Sequence, residues 1–271
     1  LLFVMAGCSG HSKNLKFGAA DIGGVYYSFA STFTQLADNE IDGYTFETKT
    51  TAGSVANLRL ISDGYIDLAI VQADLLSDAY NATGTFADKK YQKGYKAVAS
   101  LYTECCQIVV RKDSGITGID DLINKTVSVG ASESGTEKNA EQILKMSGIT
   151  DELINKVNMD YTEAAEKLKA GEIDAFFCTA GTRTEVIGQL SKECDICLIS
   201  LDDKCIDKML SAYSLCEKYT IPAGTYNGQD SDVTTIGVKA VLIAKQSLSD
   251  DVIKNVTKTI YEHADDFKYA T

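Results

Sequence analysis

The sequence predicts an α/β protein of two similar lobes, each a mostly parallel sheet flanked by helices, with a ligand cleft between them. Three observations carry this prediction. A strand, glycine loop and helix appear twice; Gly64-Tyr65-Ile66-Asp67 is echoed by Gly171-Glu172-Ile173-Asp174; and strand and helix patterns alternate along the chain. Alternation of that kind implies parallel strands joined by crossover helices. The 271 residues suit one large domain or two of ordinary size. With 45% hydrophobic and 24% charged residues, a packed core is expected rather than disorder.

The first unit opens at Phe17-Gly18-Ala19, a short strand that runs into Asp21-Ile22-Gly23-Gly24. Phe29, Phe33, Leu36 and Ala37 follow at helical spacing. Ser54 can cap a helix carrying Val55, Leu58 and Ile61. That helix ends at Gly64 and gives Tyr65 to Val71, apolar enough for a strand buried on both faces. Val98 to Leu101 and Gln107 to Arg111 read as two extended segments joined through Tyr102 to Cys106.

The second unit opens at Val127 to Ala131 and turns through Ser132, Ser134, Gly135 and Thr136. Ala140, Ile143 and Leu144 then share a helical face, and Gly148 stops the helix. Thr162 can cap a helix carrying Ala165 and Leu168, which ends at Gly171 and gives Glu172 to Phe177. One more strand spans Ile236 to Ile243. An amphipathic helix from Asp251 to His263 then turns Val252, Val256, Ile260 and Tyr261 inward. Its natural place is on the first lobe, so lobe 1 is 15–103 plus 235–271 and lobe 2 is 104–234, with two strands crossing between them. A ligand site is expected at the seam, by the carboxyl ends of the strands.

Residues 1–14 read as a signal remnant, lipobox and tether. The uncharged run Leu1 to Gly7 leads into Cys8, with Met5 where such sites usually have Leu. The basic start of a signal is absent, which predicts a sequence truncated at its N-terminus. Cys8 would become the lipidated first residue, and its acyl chains would hold the protein on the outer face of the cytoplasmic membrane. The alternative is a buried N-terminal strand with an ordinary core cysteine. No later stretch approaches eighteen apolar residues, so the lipid anchor is the only membrane contact expected.

Charge and composition exclude several functions. Against 26 basic residues stand 38 acidic ones, a formal charge of −12. Nucleic-acid binding needs the opposite balance. His11 and His263 are the only histidines, which disfavours a His base or a His-rich metal site. Besides Cys8 there are Cys105, Cys106, Cys178, Cys194, Cys197, Cys205 and Cys216. A zinc site on the last four is the weakest reading. A Cys194–Cys197 or Cys205–Cys216 disulfide is stronger, and plain small hydrophobes are the strongest. No metal, no cofactor and a monomer are expected.

Both glycine loops and both Ser/Thr-headed helices aim backbone N–H groups at the cleft, where an anion can bind without a fixed cation. No nucleotide fingerprint follows either strand, so a carboxylate is the better candidate. Thr51, Ser54, Asn57 and Gln72 add neutral donors and acceptors, and Tyr27 and Tyr102 could enclose an aliphatic stem. Ser54 and Thr136 are equally readable as caps, and Asn57 as a loop-fixing side chain.

The motifs together resemble a known family. They are Gly23-Gly24-x-Tyr26-Tyr27, Thr51-x-Gly53-Ser54-x-x-Asn57-Leu58-Arg59-Leu60-Ile61, Asp67-Leu68-Ala69-x-x-Gln72, Ser100-Leu101-Tyr102-x-Glu104 and Gln107 to Arg111, followed by Ser128 to Ala131, Ser134 to Glu137, Thr179-Ala180-Gly181 and Thr220 to Tyr226. From Leu15 onward the chain resembles the TAXI-type solute receptors of tripartite ATP-independent periplasmic (TRAP) transporters. The resemblance implies a type II periplasmic-binding-protein-like fold and a receptor, not an enzyme. Such a receptor hands a glutamate-like or glutamine-like solute to an ion-driven permease. It places Gly24, Tyr27, Thr51, Gly53, Ser54, Asn57 and Gln72 on one side of the ligand. Ser134, Gly135, Thr136, Thr179, Ala180 and Gly181 fall on the other, with Glu104 at the crossing as partner of a ligand ammonium or as a hinge hydrogen bond. Ser28 and Arg183 stand where the family usually has proline. The Arg183 guanidinium could grip a second carboxylate or lie in solvent. The rival reading is a two-lobed enzyme with Cys105, Cys106 or Cys178 as nucleophile, which lacks a nearby His.

Overall fold

A computed structural model describes residues 12–88 and 93–267; Cys8 and most of the segment read as a signal remnant lie outside the described residues. In chain order the elements are β1 (Lys13–Gly18), α1 (Val25–Glu40), β2 (Tyr44–Lys49), α2 (Ser54–Ser62), β3 (Leu68–Gln72), α3 (Ala73–Asn81), β4 (Tyr95–Arg111), β5 (Thr126–Ser128), α4 (Gly135–Met146) and β6 (Asn155–Val157). There follow α5 (Tyr161–Ala170), β7 (Ala175–Ala180), α6 (Glu185–Glu193), β8 (Ile196–Leu198), α7 (Asp203–Ala212), β9 (Cys216–Ile221), β10 (Val233–Lys245), α8 (Asp250–Glu262) and α9 (Ala264–Phe267).

The repeat in the sequence is a repeat in topology. Strands pair in the order β2-β1-β3-β10-β4-β7-β5-β6, so each half has its second strand outside, its first in the middle and its third inside. Within each triplet the pairing is parallel, and an antiparallel long strand closes it: β10 on β3, and β4 on β7. Each half is therefore a mixed sheet with parallel strands at its outer end. The Gly-x-Ile-Asp echo has a shared physical cause. Gly64 and Gly171 end α2 and α5 in the left-handed region, at φ 81° and 74°. Asp67 and Asp174 then accept hydrogen bonds from the amides of Lys16 and Thr126, at 3.0 and 2.8 Å, and so tie the third strand to the first.

β4 is one continuous strand of 17 residues, not two segments. Its N-terminal part pairs with β10, with bulges, and its residues 105–110 pair with β7. β10 likewise pairs with β3 at one end and β9 at the other. These two long strands carry the chain across the sheet, and hydrophobic cores lie on either side of the crossing. Phe17, Phe29, Phe33 and Leu242 pack with Val252, Val256 and Ile260 of α8; Val127, Ile143, Phe177 and Met209 form a core at the far end. Tyr261, expected inward, is 70% exposed, because Val252, Val256 and Ile260 already fill the apolar stripe of α8. Tyr65 is also exposed, and the buried run of β3 starts at Leu68. β1 begins at Lys13, inside the segment read as a tether, where its amide bonds Gly43 O at 3.0 Å.

Candidate functional site

Four helix starts converge where the two sequence repeats meet. Those of α1, α2, α4 and α5 contribute Gly24, Gly53, Gly135 and Tyr161 to one cavity, with about 460 Å³ of space between atoms, its mouth included. The amides that open α1, α2 and α4 have no acceptor within the helix and present positive partial charge to the cavity, whereas that of α5, Tyr161 N, is taken by Asp21. Two close approaches bring the repeats together. Gly53 has φ 123°, which a side chain rarely adopts, and a Cβ there would lie 3.3 Å from Ser134 Cα. A Cβ on Gly135 would lie within 2.7 Å of three Gln72 side-chain atoms.

Further bonds join the two sides. Arg59 reaches both carboxylate oxygens of Glu133, at 3.3 and 2.6 Å, and Ala56 N donates to Glu133 O at 3.1 Å. Gln72 Nε2 donates to Asn139 Oδ1 at 3.0 Å, and Asp21 accepts from Tyr161 N at 2.9 Å. These contacts hold the two repeats against each other around the cavity.

Glu104 is the most perturbed acid on the cavity wall. It is buried and receives the Tyr26 hydroxyl at 2.8 Å. Burial pushes its carboxyl up to about 8, with Asp74 adding to the rise and the bonds from Tyr26 and Gln72 opposing it. Asp74 itself is raised to about 6, chiefly by burial. Asp21 is raised by burial and by Asp160. Two acceptors on the wall, Gln72 Oε1 and Thr179 Oγ1, are buried without a hydrogen-bond partner. A buried polar atom left unpaired costs about 1–3 kcal/mol, which makes an incoming donor favourable there.

Of the residues singled out in the sequence, Gly24, Gly53, Ser54, Gln72, Glu104, Ser134, Gly135, Thr136, Thr179 and Ala180 line the cavity. Four do not. Asn57 is fully buried and donates to the carbonyls of Ala19 (2.7 Å), Ile70 (2.9 Å) and Gly18 (3.4 Å), so its amide is spent on fixing strand ends. Thr51 donates to Ala19 O and lies 2.7 Å from Asn57 Oδ1, and belongs to the same knot. Tyr27 packs on the α1–α8 core, because the helical phase set by Phe29 and Phe33 turns its neighbour Tyr26 to the cavity. The Gly181 carbonyl accepts the Thr184 hydroxyl at 2.7 Å and the residue lies off the wall. Tyr102 packs between the cores and Arg183 is exposed; neither reaches the cavity.

Ser54 and Thr162 do not cap. Gly53 holds the cap position of α2, and Ser54 Oγ accepts from Gln72 N at 3.1 Å; Asp160 caps α5 through Glu163 N. Ser134 does cap α4, accepting from Glu137 N at 2.9 Å. Thr136 Oγ1 holds Tyr161 OH (2.6 Å) and Thr179 N (3.1 Å) in place. Sequence reasoning missed Tyr26, Asp21 and Tyr161. The phase of Phe29 and Phe33 could have found Tyr26, whereas Asp21 and Tyr161 carry no signal of their own.

All seven cysteines among the described residues are free thiols. Burial raises Cys105 and Cys178 strongly and pushes Cys106 up to about 12, so the nucleophilic thiolate is disfavoured at all three. No group of His, Cys, Asp and Glu among the described residues is placed to hold a metal, and no described helix is long and apolar enough to cross a membrane.

Comparison with known proteins gives one family and one fold. The model of the NMT1-like family matches residues 17–271. A putative L-cystine ABC transporter protein from Listeria monocytogenes is 14% identical, with a TM-score of 0.59 over 95% of this chain and 94% of its own. An ancestral arginine-binding protein bound to arginine is 15% identical, with a TM-score of 0.58 over 96% and 97%. The periplasmic aliphatic sulphonate binding protein of Escherichia coli is 12% identical, with a TM-score of 0.54 over 95% and 73%. The shared fold is the mixed α/β sheet with flanking helices of type II periplasmic solute-binding proteins.

Proposed function

The chain belongs to the NMT1-like family, and on that premise we propose that it is an extracytoplasmic solute receptor and not an enzyme. It captures a small carboxylate or amino acid, of the glutamate or glutamine kind, and delivers it to the permease of a TRAP-type transporter, as TAXI-type receptors do. The protein works as a monomer held at the outer face of the cytoplasmic membrane by a lipid on Cys8. Lobe 1 is 15–103 plus 235–271, lobe 2 is 104–234, and closure of one on the other traps the solute.

One observation carries this reading: the cavity is walled from both repeats by helix starts and by a buried, unpartnered acceptor, Gln72 Oε1. The helix-start amides of Ser54 and Gly135 suit a carboxylate. Contacts made only when both walls are in place favour the closed form, which is how a ligand shifts such an equilibrium. The cysteine-nucleophile reading finds no support in three thiols held neutral by burial.

Thermal unfolding with single carboxylates and amino acids tests the proposal. A bound solute at 100 times its Kd is expected to stabilise by about 2.7 kcal/mol, with no product formed. Gln72→Ala is expected to lose most of that shift. A full set of solutes that leaves the unfolding temperature unmoved, or turnover of any of them, would refute it.

A further inference from the structure

Resting on the receptor reading, we infer that the cavity takes an α-amino acid with an uncharged side chain, and that its ammonium displaces the proton held by Glu104, so that each binding event releases a proton. The wall contains no Lys, Arg or His among the described residues, so a second carboxylate would find no cation and would compete with the first for the helix-start amides. It does contain acids. Two of them are engaged: Asp21 accepts from Tyr161 N, and Asp160 accepts from Glu163 N as a helix cap. Glu104 receives the Tyr26 hydroxyl on Oε2 at 2.8 Å and a bond from the Gln72 side chain, both neutral donors, and no cation among the described residues of the wall faces it.

The groups around Glu104 come from several elements. They are Tyr26 of α1, Gln72 of β3, Asp74 of α3, Tyr161 of α5, and Tyr102 and Cys105 on its own strand, while its cross-strand neighbour on β10 is Val238. None is a cation. An ionised Glu104 is therefore uncompensated until a positive group enters, and the carboxyl is held protonated, with its titration moved up to about 8 by burial. On binding, the Glu104 O–H bond breaks, its proton leaves to solvent, and the carboxylate pairs with the ligand's ammonium; no covalent bond to the ligand forms. Gln72 Oε1, buried without a donor, is placed to accept a second ammonium hydrogen. The helix-start amides take the single carboxylate. One ammonium and one carboxylate then use the polar groups that remain, and a charged side chain has no counter-charge.

Isothermal titration calorimetry in two buffers of different ionisation enthalpy counts the protons. The probes are the twenty standard amino acids, L-glutamine and L-glutamate among them, and 2-oxoglutarate as a carboxylate without an amine. An uncharged amino acid is expected to bind tightest, with close to one proton released at pH 7 and affinity falling about tenfold from pH 7 to pH 6. Glu104→Gln is expected to abolish both the release and the pH dependence; the wild-type proton count stands even if that variant fails to fold. Tightest binding by an acidic or basic amino acid or by 2-oxoglutarate, or binding without proton release, overturns this inference and leaves the receptor reading intact. No binding by any small solute removes both.

Discussion

Replacing Asn57 with alanine separates a structural role from a binding role at the centre of the first repeat. The side chain is fully buried, and its amide bonds Ala19 O and Ile70 O at 2.7 and 2.9 Å while its carbonyl oxygen accepts the Thr51 hydroxyl at 2.7 Å. Ala19 O keeps the Thr51 hydroxyl at 2.9 Å, but Ile70 O loses its side-chain donor. Each net hydrogen bond is worth about 1 kcal/mol and an orphaned buried acceptor costs about 1–3 kcal/mol, so Asn57→Ala should cost about 3 kcal/mol. At about 2–4 °C per kcal/mol for a chain of this size, the unfolding temperature should fall by about 6–12 °C. Urea unfolding reads the loss, and titration of the tightest solute reads binding in the folded fraction, which should be nearly unchanged because Asn57 does not line the cavity. Lost binding with less than about 1 kcal/mol of lost stability would refute the reasoning and return Asn57 to the ligand.

Three other perturbations follow from the same geometry. Gly135→Ala drives a methyl into the Gln72 side chain and so opposes closure. Overpacking costs about 1–3 kcal/mol, so affinity should fall by about 5- to 150-fold with little change in the ligand-free unfolding temperature; unchanged affinity would show that the two walls need not meet. Native alkylation should label the half-buried Cys194 and Cys197 and spare Cys105, Cys106 and Cys178, whose thiols are buried; labelling of the buried three at comparable rates would contradict the packing. The His263 ring lies 2.6 Å from Glu40 and 3.0 Å from Asp266, and these partners raise its titration above the ordinary 6.5. The stabilisation from that pairing should be complete below pH 6.5 and lost as pH rises through the raised value. An NMR titration of His263 with a midpoint at or below 6.5 would contradict it.

Much of the fold was legible because the chain repeats its own solutions. Gly64 and Gly171 end a helix, and Asp67 and Asp174 staple the next strand to the first, so the same four-residue phrase appears wherever that joint is built. The continuity of β4 was hidden because Tyr102 to Cys106 mixes polar and apolar residues where the strand crosses between cores. At the site, glycines were readable since close approach of two backbones excludes a side chain, as at Gly53 and Gly135. Polar residues were harder. Asn57 and Gln72 look alike in a sequence, yet one spends its amide on three backbone carbonyls and the other keeps an acceptor on the cavity wall. Tyr26 and Tyr27 are adjacent and differ only in helical phase.

Solute held between the two repeats is the claim everything else serves, and mass spectrometry reads it directly. The protein would be equilibrated with a mixture of amino acids and small carboxylates, freed of excess by rapid gel filtration and gently denatured. One molecule of a single small carboxylate-bearing solute per chain is expected in the released fraction, and much less from Gln72→Ala. An empty released fraction from the folded wild-type protein, or equal retention by the variant, would contradict the account.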